Sequence, residues 1–317
     1  MWICRALVGF LLLVALLPAQ ANAQYPDKPI RLVVAFPAGG SVDVVARILA
    51  DRLRASLGQP VIVENRTGAS GNIAAQIVAT SPADGYTVLF TTSVIASSPW
   101  TSPTNFDPPK NLVAVTRIAL SPYVLIVRSE SPIATLDDFV MRAKAHPGNF
   151  SCSTYGAGSP PHLALEMLKQ SAKLDIVHVP YRGFSQSFPD LKSGILSCAM
   201  EVPANIAQLV QEGSLRALAV TTSGEMSIFP GVPSIASRFP DVVVEGWQGV
   251  FVPAKTPQPV VDRLNAEFVK ALKEPDIVEQ LKKLGFEPVG DTSAEANQVF
   301  KNDYERFGVT LGSIGLR

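Results

Sequence analysis

An apolar run of strand length, Ile30–Ala35, breaks off at Pro37 and the pair Gly39-Gly40, and an amphipathic helix follows at once. Ser41 supplies a capping hydroxyl. Val45, Ile48, Leu49, Leu53 and Leu57 recur on one face at helical spacing, with Arg47, Asp51 and Arg54 opposite, and Gly58 ends the helix. Val61–Glu64 is a second strand, followed by the loop Asn65–Gly71 and a short helix to Ala79. Asp84-Gly85 marks a turn before a third strand, Tyr86–Phe90, which ends in Thr91-Thr92-Ser93. This alternation predicts an α/β fold built on a parallel, doubly wound sheet. In such sheets the ligand crevice lies beyond the carboxyl ends of the strands.

The pattern runs a second time. After a Ser-, Pro- and Thr-rich stretch, Ala96–Pro109, that reads as surface loop, Val124–Val127 is a strand near a crossover. Thr135 caps a helix over Leu136–Ala145; strands are expected at Phe150–Ser153, Ile176–Val179, Leu196–Met200 and Leu215–Thr221. Helices are expected at Pro160–Gln170 and Pro203–Gln211. Val242–Val252 leads back to the first series, Thr256-Pro257 opens a further helix, and a last helix spans roughly Ala294–Leu311. A chain of 317 residues with 47% hydrophobic residues has material for two such cores. The expected architecture is therefore two α/β lobes of parallel-type sheets flanked by helices, joined by two crossovers. Residues 24–125 with 248–317 form lobe I, and 126–247 form lobe II.

Residues 1–23 stand apart. Arg5 precedes an apolar run from Ala6 to Leu17, then Pro18 and the small residues Ala21-Asn22-Ala23. This is the layout of a secretory signal peptide cleaved before Gln24, and the run is too short for the roughly 20 residues of a membrane span. Removing it takes one basic residue and no acidic one, leaving 26 against 27. That balance excludes the basic surface that nucleic acid requires. In an oxidising compartment Cys152 and Cys198 can form a bridge if their strands are neighbours, or remain two buried thiols.

Catalytic signatures are missing. There is no Gly-x-Ser-x-Gly, no nucleotide-binding glycine fingerprint and no Cys-x-x-Cys, and the three histidines are isolated, so no cofactor or metal is expected. What the sequence offers instead is small polar loops at strand ends. Phe36, Ala38, Gly39, Gly40 and Ser41 lie where a backbone can approach a ligand and a helix start can attract an anion, although Gly39-Gly40 also reads as a plain tight turn. Thr91, Thr92 and Ser93 offer hydroxyls to a carboxylate or bridging water, or form an ordinary cap.

In the second series, Thr154, Gly158, Ser159 and His162 run from a strand into a helix. Ser159 is placed to cap, with Pro160 in the first turn, so that backbone donors and a His162 ring N–H face the crevice; His162 reads equally as a core-rim residue. Glu201, past the next strand, can accept from a ligand amine or steady the loops. Arg182 reads as an interloop salt bridge or an anion contact, and Trp247 as cleft wall or core. Three or four charge-assisted hydrogen bonds at about 1.5–3 kcal/mol each and two helix starts at about 0.3–2 kcal/mol each stand against an association cost of about 4–15 kcal/mol. Roughly micromolar binding is within that range.

At this point the chain resembles a known family. Tyr25-Pro26-Asp27-Lys28-Pro29-Ile30-Arg31, leading into Phe36-Pro37-Ala38-Gly39-Gly40-Ser41-Val42-Asp43, is similar to the opening of the Bug-type receptors of tripartite tricarboxylate transporters. So are Gly68-Ala69-Ser70-Gly71-Asn72, Asp84-Gly85-Tyr86-Thr87, Gly156-Ala157-Gly158-Ser159-Pro160-Pro161-His162 and His178-Val179-Pro180-Tyr181-Arg182-Gly183, in order along nearly the whole mature chain. The resemblance implies a periplasmic type II solute-binding fold, a monomer that grips a small carboxylate between Phe36–Ser41, Thr91–Ser93 and Gly158–His162 and delivers it to membrane permease subunits. The chain departs from the family pattern at Ala38, at Glu201-Val202, where Asp-Asn or Asp-Ser is common, and over Ala96–Asn105. Two other readings remain: a module presenting its ligand to a membrane sensor kinase, and a secreted hydrolase using Ser159 or Ser41 with His162.

Overall fold

The computed structural model describes residues 25–101, 104–181, 183–313 and 315; the expected signal peptide and Arg182 lie outside them. The first apolar run becomes β1 (Ile30–Val34), followed by α1 (Ser41–Leu57), β2 (Val61–Asn65), α2 (Asn72–Ala79) and β3 (Thr87–Thr92). β1 lies between β2 and β3 and runs parallel to both. Its alternation sorts the apolar residues by face: Ile30, Leu32 and Val34 pack on α1, whereas Val33 and Ala35 pack on α2.

The stretch expected to be surface loop is different. Val94–Thr101 is a helix (α3), with Ala96, Ser97 and Ser98 buried, and Pro108–Asn111 is a short α4. Its serines are tolerated inside because Ser98 Oγ donates to Asn72 Oδ1 and Ser97 Oγ to the Val94 carbonyl. The nine-residue β4 (Leu112–Leu120), which sequence pattern did not single out, follows.

The chain then crosses to a second sheet: β5 (Val124–Arg128), α5 (Leu136–Ala145), β6 (Phe150–Thr154), α6 (Pro160–Ala172), β7 (Ile176–Pro180), α7 (Phe184–Ser193), β8 (Cys198–Glu201), α8 (Pro203–Gln211) and β9 (Leu215–Val220). It returns through β10 (Trp247–Pro253), α9 (Gln258–Leu272), α10 (Pro275–Lys283), β11 (Glu287–Pro288) and α11 (Ser293–Ser313). As expected, these last helices pack on the first sheet, α9 and α10 on the α1 face and α11 on the α2 face.

The sheets are mixed, not purely parallel. The first has the order β11-β4-β10-β3-β1-β2 and the second β7-β6-β8-β5-β9. β10 is antiparallel to β3 and β4, and β5 is antiparallel to β8 and β9. The reason is topological. β4 ends at the carboxyl edge of its sheet, so the strand fed from it starts at the corresponding edge of the other sheet and must run backwards. The same holds for β9 feeding β10. Each sheet is therefore completed by a strand delivered from the other.

The crossovers lie side by side and are hydrogen-bonded together. Ser121 N donates to the Gly246 carbonyl (2.6 Å), Thr221 N to that of Tyr123 (2.9 Å) and Val244 N to that of Thr221 (3.0 Å). The Thr221 hydroxyl accepts from Tyr123 N (2.9 Å) and donates to the Val244 carbonyl (2.7 Å). A Cβ on Gly246 would sit 2.4 Å from the Ser121 carbonyl oxygen, so close approach of the two strands requires glycine there. Below, Arg306 Nη1 donates to the Val243 carbonyl (3.1 Å) and Arg306 Nη2 to Asp303, which also accepts from the Trp247 indole (2.8 Å). Trp247 is thereby a core residue, packed on Phe251 and Phe300.

Cys152 and Cys198 face each other in the β6–β8 register, Cα atoms 4.6 Å apart, and are bonded as a buried disulfide. Closing a loop 46 residues in separation limits the unfolded chain. Replacing both cysteines by alanine is expected to cost about 3–4 kcal/mol in urea unfolding; an unchanged midpoint would contradict the assignment. Gly246→Ala should cost about 1–3 kcal/mol by overpacking the paired crossovers, and wild-type stability in that variant would refute the close-approach argument.

Candidate ligand site between the two sheets

The loop after β1 is held from below. Asp43, in the first turn of α1 and 2% exposed, accepts from Gly39 N (2.8 Å), Arg47 Nε (2.8 Å) and Asn65 Nδ2 (2.8 Å), and Asn65 Nδ2 also donates to the Phe36 carbonyl (2.9 Å). Burial alone would raise the Asp43 carboxyl, but these hydrogen bonds outweigh it and hold the group below the usual carboxylate range. The expected donor set is corrected here: the Gly39 amide is spent on Asp43 and the Gly40 amide on the Pro37 carbonyl. α1 has no side-chain cap, and its first backbone bond runs from Val44 N to the Gly40 carbonyl, so the Ser41, Val42 and Asp43 amides remain as the donors at this helix start.

The second rim is corrected in the same way. Pro160 and Pro161 carry no N–H, the Ser159 amide donates to the Gly156 carbonyl, and the Ser159 hydroxyl donates to that carbonyl too (2.7 Å). His162 does not aim a ring N–H at the crevice. Its Nδ1 accepts from Gly158 N (3.0 Å), its Nε2 faces Glu166 (3.5 Å), and its ring stacks on His178 at 3.8 Å. Thr154 Oγ1 is likewise bonded to His178 Nε2 (2.7 Å), and burial lowers His178 to about 4, keeping it neutral. These side chains position the loop; the His162 amide is what remains free. The serine–histidine bond a hydrolase would need is not formed by His162 here.

The two rims lie on the same side of the molecule. Phe36 packs against the cluster that contains Ala35, Ile95, Trp247 and, from the second lobe, Leu163. Gly158, with φ +73°, lies so close to Thr101 that a Cβ would fall 2.3 Å from its methyl group.

Elsewhere in the fold, Arg142 Nε, Thr256 Oγ1 and Glu267 Oε2 lack hydrogen-bond partners; the other such buried polar atoms among the described residues lie near the carboxyl ends of strands or at the start of α2. They are Thr91 Oγ1, Ser93 Oγ, Ser153 Oγ, Asn72 Nδ2 and both amide atoms of Gln248, which is fully buried. Gln248 faces Thr92 in the β10–β3 register, so β10 brings an amide to the end of β3. Ser93 neighbours the Tyr123 phenol in the first crossover without a hydrogen bond of normal geometry, and Tyr123 in turn neighbours Glu201. Glu201 is 1% exposed and accepts from the Tyr155 phenol and from Asn205 Nδ2 (3.2 Å). Burial raises its carboxyl to about 7 despite those bonds. A polar floor thus runs from Ser93 through Tyr123 to Tyr155, Glu201 and Asn205.

Thr91, Ser93 and Glu201 were legible in the sequence as strand-end polar residues. Asn72, Tyr123, Gln248 and Asn205 were not singled out. Gln248 carried a usable signal, a lone amide inside the apolar stretch Val242–Val252.

An unsatisfied buried amide costs about 1–3 kcal/mol. Gln248→Leu should therefore raise the stability of the ligand-free protein by about 1–2 kcal/mol while weakening ligand binding at least tenfold; lost stability would show that Gln248 is structural. Glu201 binds its proton more tightly folded than unfolded, so its contribution is present at low pH and is lost as pH rises from about 4.5 to about 7. The stability difference between wild type and Glu201→Gln should change by up to ~3 kcal/mol across that window, and a pH-independent difference would contradict a buried, unpaired carboxyl.

Comparison with known proteins identifies the family. The family described as tripartite tricarboxylate transporter family receptor matches residues 45–316. BugT of Bordetella pertussis is 32% identical, over 98% of this chain and 97% of that protein. An R. palustris protein solved with adipate superposes with a TM-score of 0.83 at 30% identity, covering 92% of this chain and 98% of that one. MatC from Rhodopseudomonas palustris with bound malate gives 0.78 at 27% identity, over 90% and 100%. The chain belongs to the receptor family of the tripartite tricarboxylate transporters, with the two-lobed α/β fold of its solute-binding proteins.

Proposed function

We propose that this protein is an extracytoplasmic receptor that binds a small carboxylate between its lobes and delivers it to the permease subunits of a tripartite tricarboxylate transporter. The observation that carries the reading is the set of unpaired buried hydroxyls and amides near the strand ends: Thr91, Ser93 and Gln248 beside the first sheet, Asn72 at the start of α2, and Ser153 in the second sheet. Groups of this kind hydrogen-bond a carboxylate, directly or through water, without a buried cation. The adipate and malate in two similar structures support the same ligand class. Export, with removal of residues 1–23 near Ala23-Gln24, places the receptor in the periplasm, in keeping with the family.

The lobes, residues 24–125 with 248–317 and residues 126–247, act as two bodies that close over the ligand about the paired crossovers. Closure excludes water and strengthens each of these hydrogen bonds. The protein performs no chemistry on its ligand, since the rim side chains are engaged in holding loops, as His162 is with Gly158 and Glu166.

Native mass spectrometry of the protein as purified, followed by thermal shift with a panel of organic, amino and aromatic acids, tests the reading. A bound acid at about 100 times its Kd adds ~2.7 kcal/mol, a rise of several degrees in Tm. A protein that carries no acid and responds to none of the panel would overturn it.

A further inference from the structure

Glu201 brings a carboxylate to this polar floor, where the other unpartnered groups are hydroxyls and amides. Its Oε2 accepts from the Tyr155 phenol and Asn205 Nδ2, and the Val202 backbone N–H lies against the same carboxylate, while no side chain among the described residues donates to Oε1. The Tyr155 proton is spent on Glu201, and Asn205 Nδ2 is shared between Glu201 and the Tyr155 oxygen (3.1 Å). Among the described residues, no lysine, arginine or histidine contributes to the surroundings of this carboxyl; the titratable groups facing it are Tyr155, from the loop after β6, and Tyr123, from the first crossover, both kept neutral by burial. The second-sheet end of the floor therefore presents an acceptor. The first-sheet end presents uncharged groups rich in donors: the Thr91 and Ser93 hydroxyls, the Asn72 and Gln248 N–H groups and the start of α1, with Gln248 Oε1 as a neutral acceptor.

The site is polar in a directional sense. An anionic carboxylate suits the first-sheet end and is opposed at Glu201 once that carboxyl is ionised, because two carboxylates would then meet in a low-dielectric interior. A hydroxyl or ammonium suits Oε1, to which no described side chain donates. Resting on the receptor reading above, we propose that Glu201 determines specificity: Oε1 accepts a hydrogen bond from a hydroxyl or ammonium on the ligand, so that the site selects small hydroxy- or amino-carboxylates over unsubstituted aliphatic carboxylates. A site built to bond a ligand donor rejects an analogue lacking it strongly, because the buried acceptor is then left bare.

The test is isothermal titration of the full mature protein with carbon-matched acids, propionate, lactate and alanine in one set and succinate, malate and aspartate in another, on wild type and Glu201→Gln. Wild type should bind the hydroxy or amino member of at least one set tenfold or more tighter than the unsubstituted one. Glu201→Gln keeps the shape but removes the charge, and should lower the ratio of amino to unsubstituted acid by at least tenfold. Because that ratio is taken within one variant, loss of folded protein cannot move it. Should unsubstituted acids bind as well as substituted ones in wild type, or the ratio survive Glu201→Gln, Glu201 is only a support for Tyr155 and Asn205 and the specificity proposal fails while the receptor reading stands. Failure of every acid to bind would overturn the receptor reading and the specificity proposal together.

Discussion

The exchange of one strand between the two sheets governs everything else in this molecule. The chain leaves one sheet at the carboxyl end of β4 or β9 and enters the other at its carboxyl edge as β5 or β10, so each of these entering strands runs against its neighbours. Two consequences follow. The crossovers must lie together, and hydrogen bonds through Ser121, Thr221, Val244 and Gly246 bind them into a narrow waist. The carboxyl ends of both sheets must also look toward that waist. A crevice between lobes is thus dictated by connectivity, before any side chain is chosen to line it.

The lining is expensive. Among the described residues, five buried side chains at these strand ends and at the start of α2 carry polar atoms with no protein partner. At roughly 1–3 kcal/mol each, leaving them bare would consume a share comparable to the whole stability of a domain, about 5–15 kcal/mol. Water or ligand must satisfy them. The protein holds them ready by rigid means: α3 rests on Asn72 through Ser98, Gly158 seats on Thr101, and the His162 ring grips the Gly158 amide. Side chains that looked available for binding, His162 and Thr154 above all, have been diverted to this supporting work.

Local alternation was readable because it depends on neighbours in sequence. Ile30–Ala35, the α1 stripe and the Gly39-Gly40 loop all fall where periodicity placed them. The direction of β5 and β10 was not readable, since it depends on which sheet a strand joins and not on its own residues. The helix Val94–Thr101 was mistaken for loop because serine burial there relies on Asn72, 26 positions away from Ser98. The site divides along the same line. Strand-end hydroxyls announce themselves, whereas the spending of the Gly39 amide on Asp43 and the arrival of Gln248 beside Thr92 come only with the assembled fold.

The central claim is that partnerless polar groups from both sheets, and no cation or nucleophile, hold the ligand. A crystal structure with the tightest-binding acid addresses it most directly. The account predicts a ligand carboxylate bonded, directly or through one water, to Thr91 and Ser93, with Gln248 or Asn72 completing its shell. An acid seated instead in the outer groove beside Trp100, Lys110 and Lys301, with the strand-end hydroxyls untouched, would contradict it.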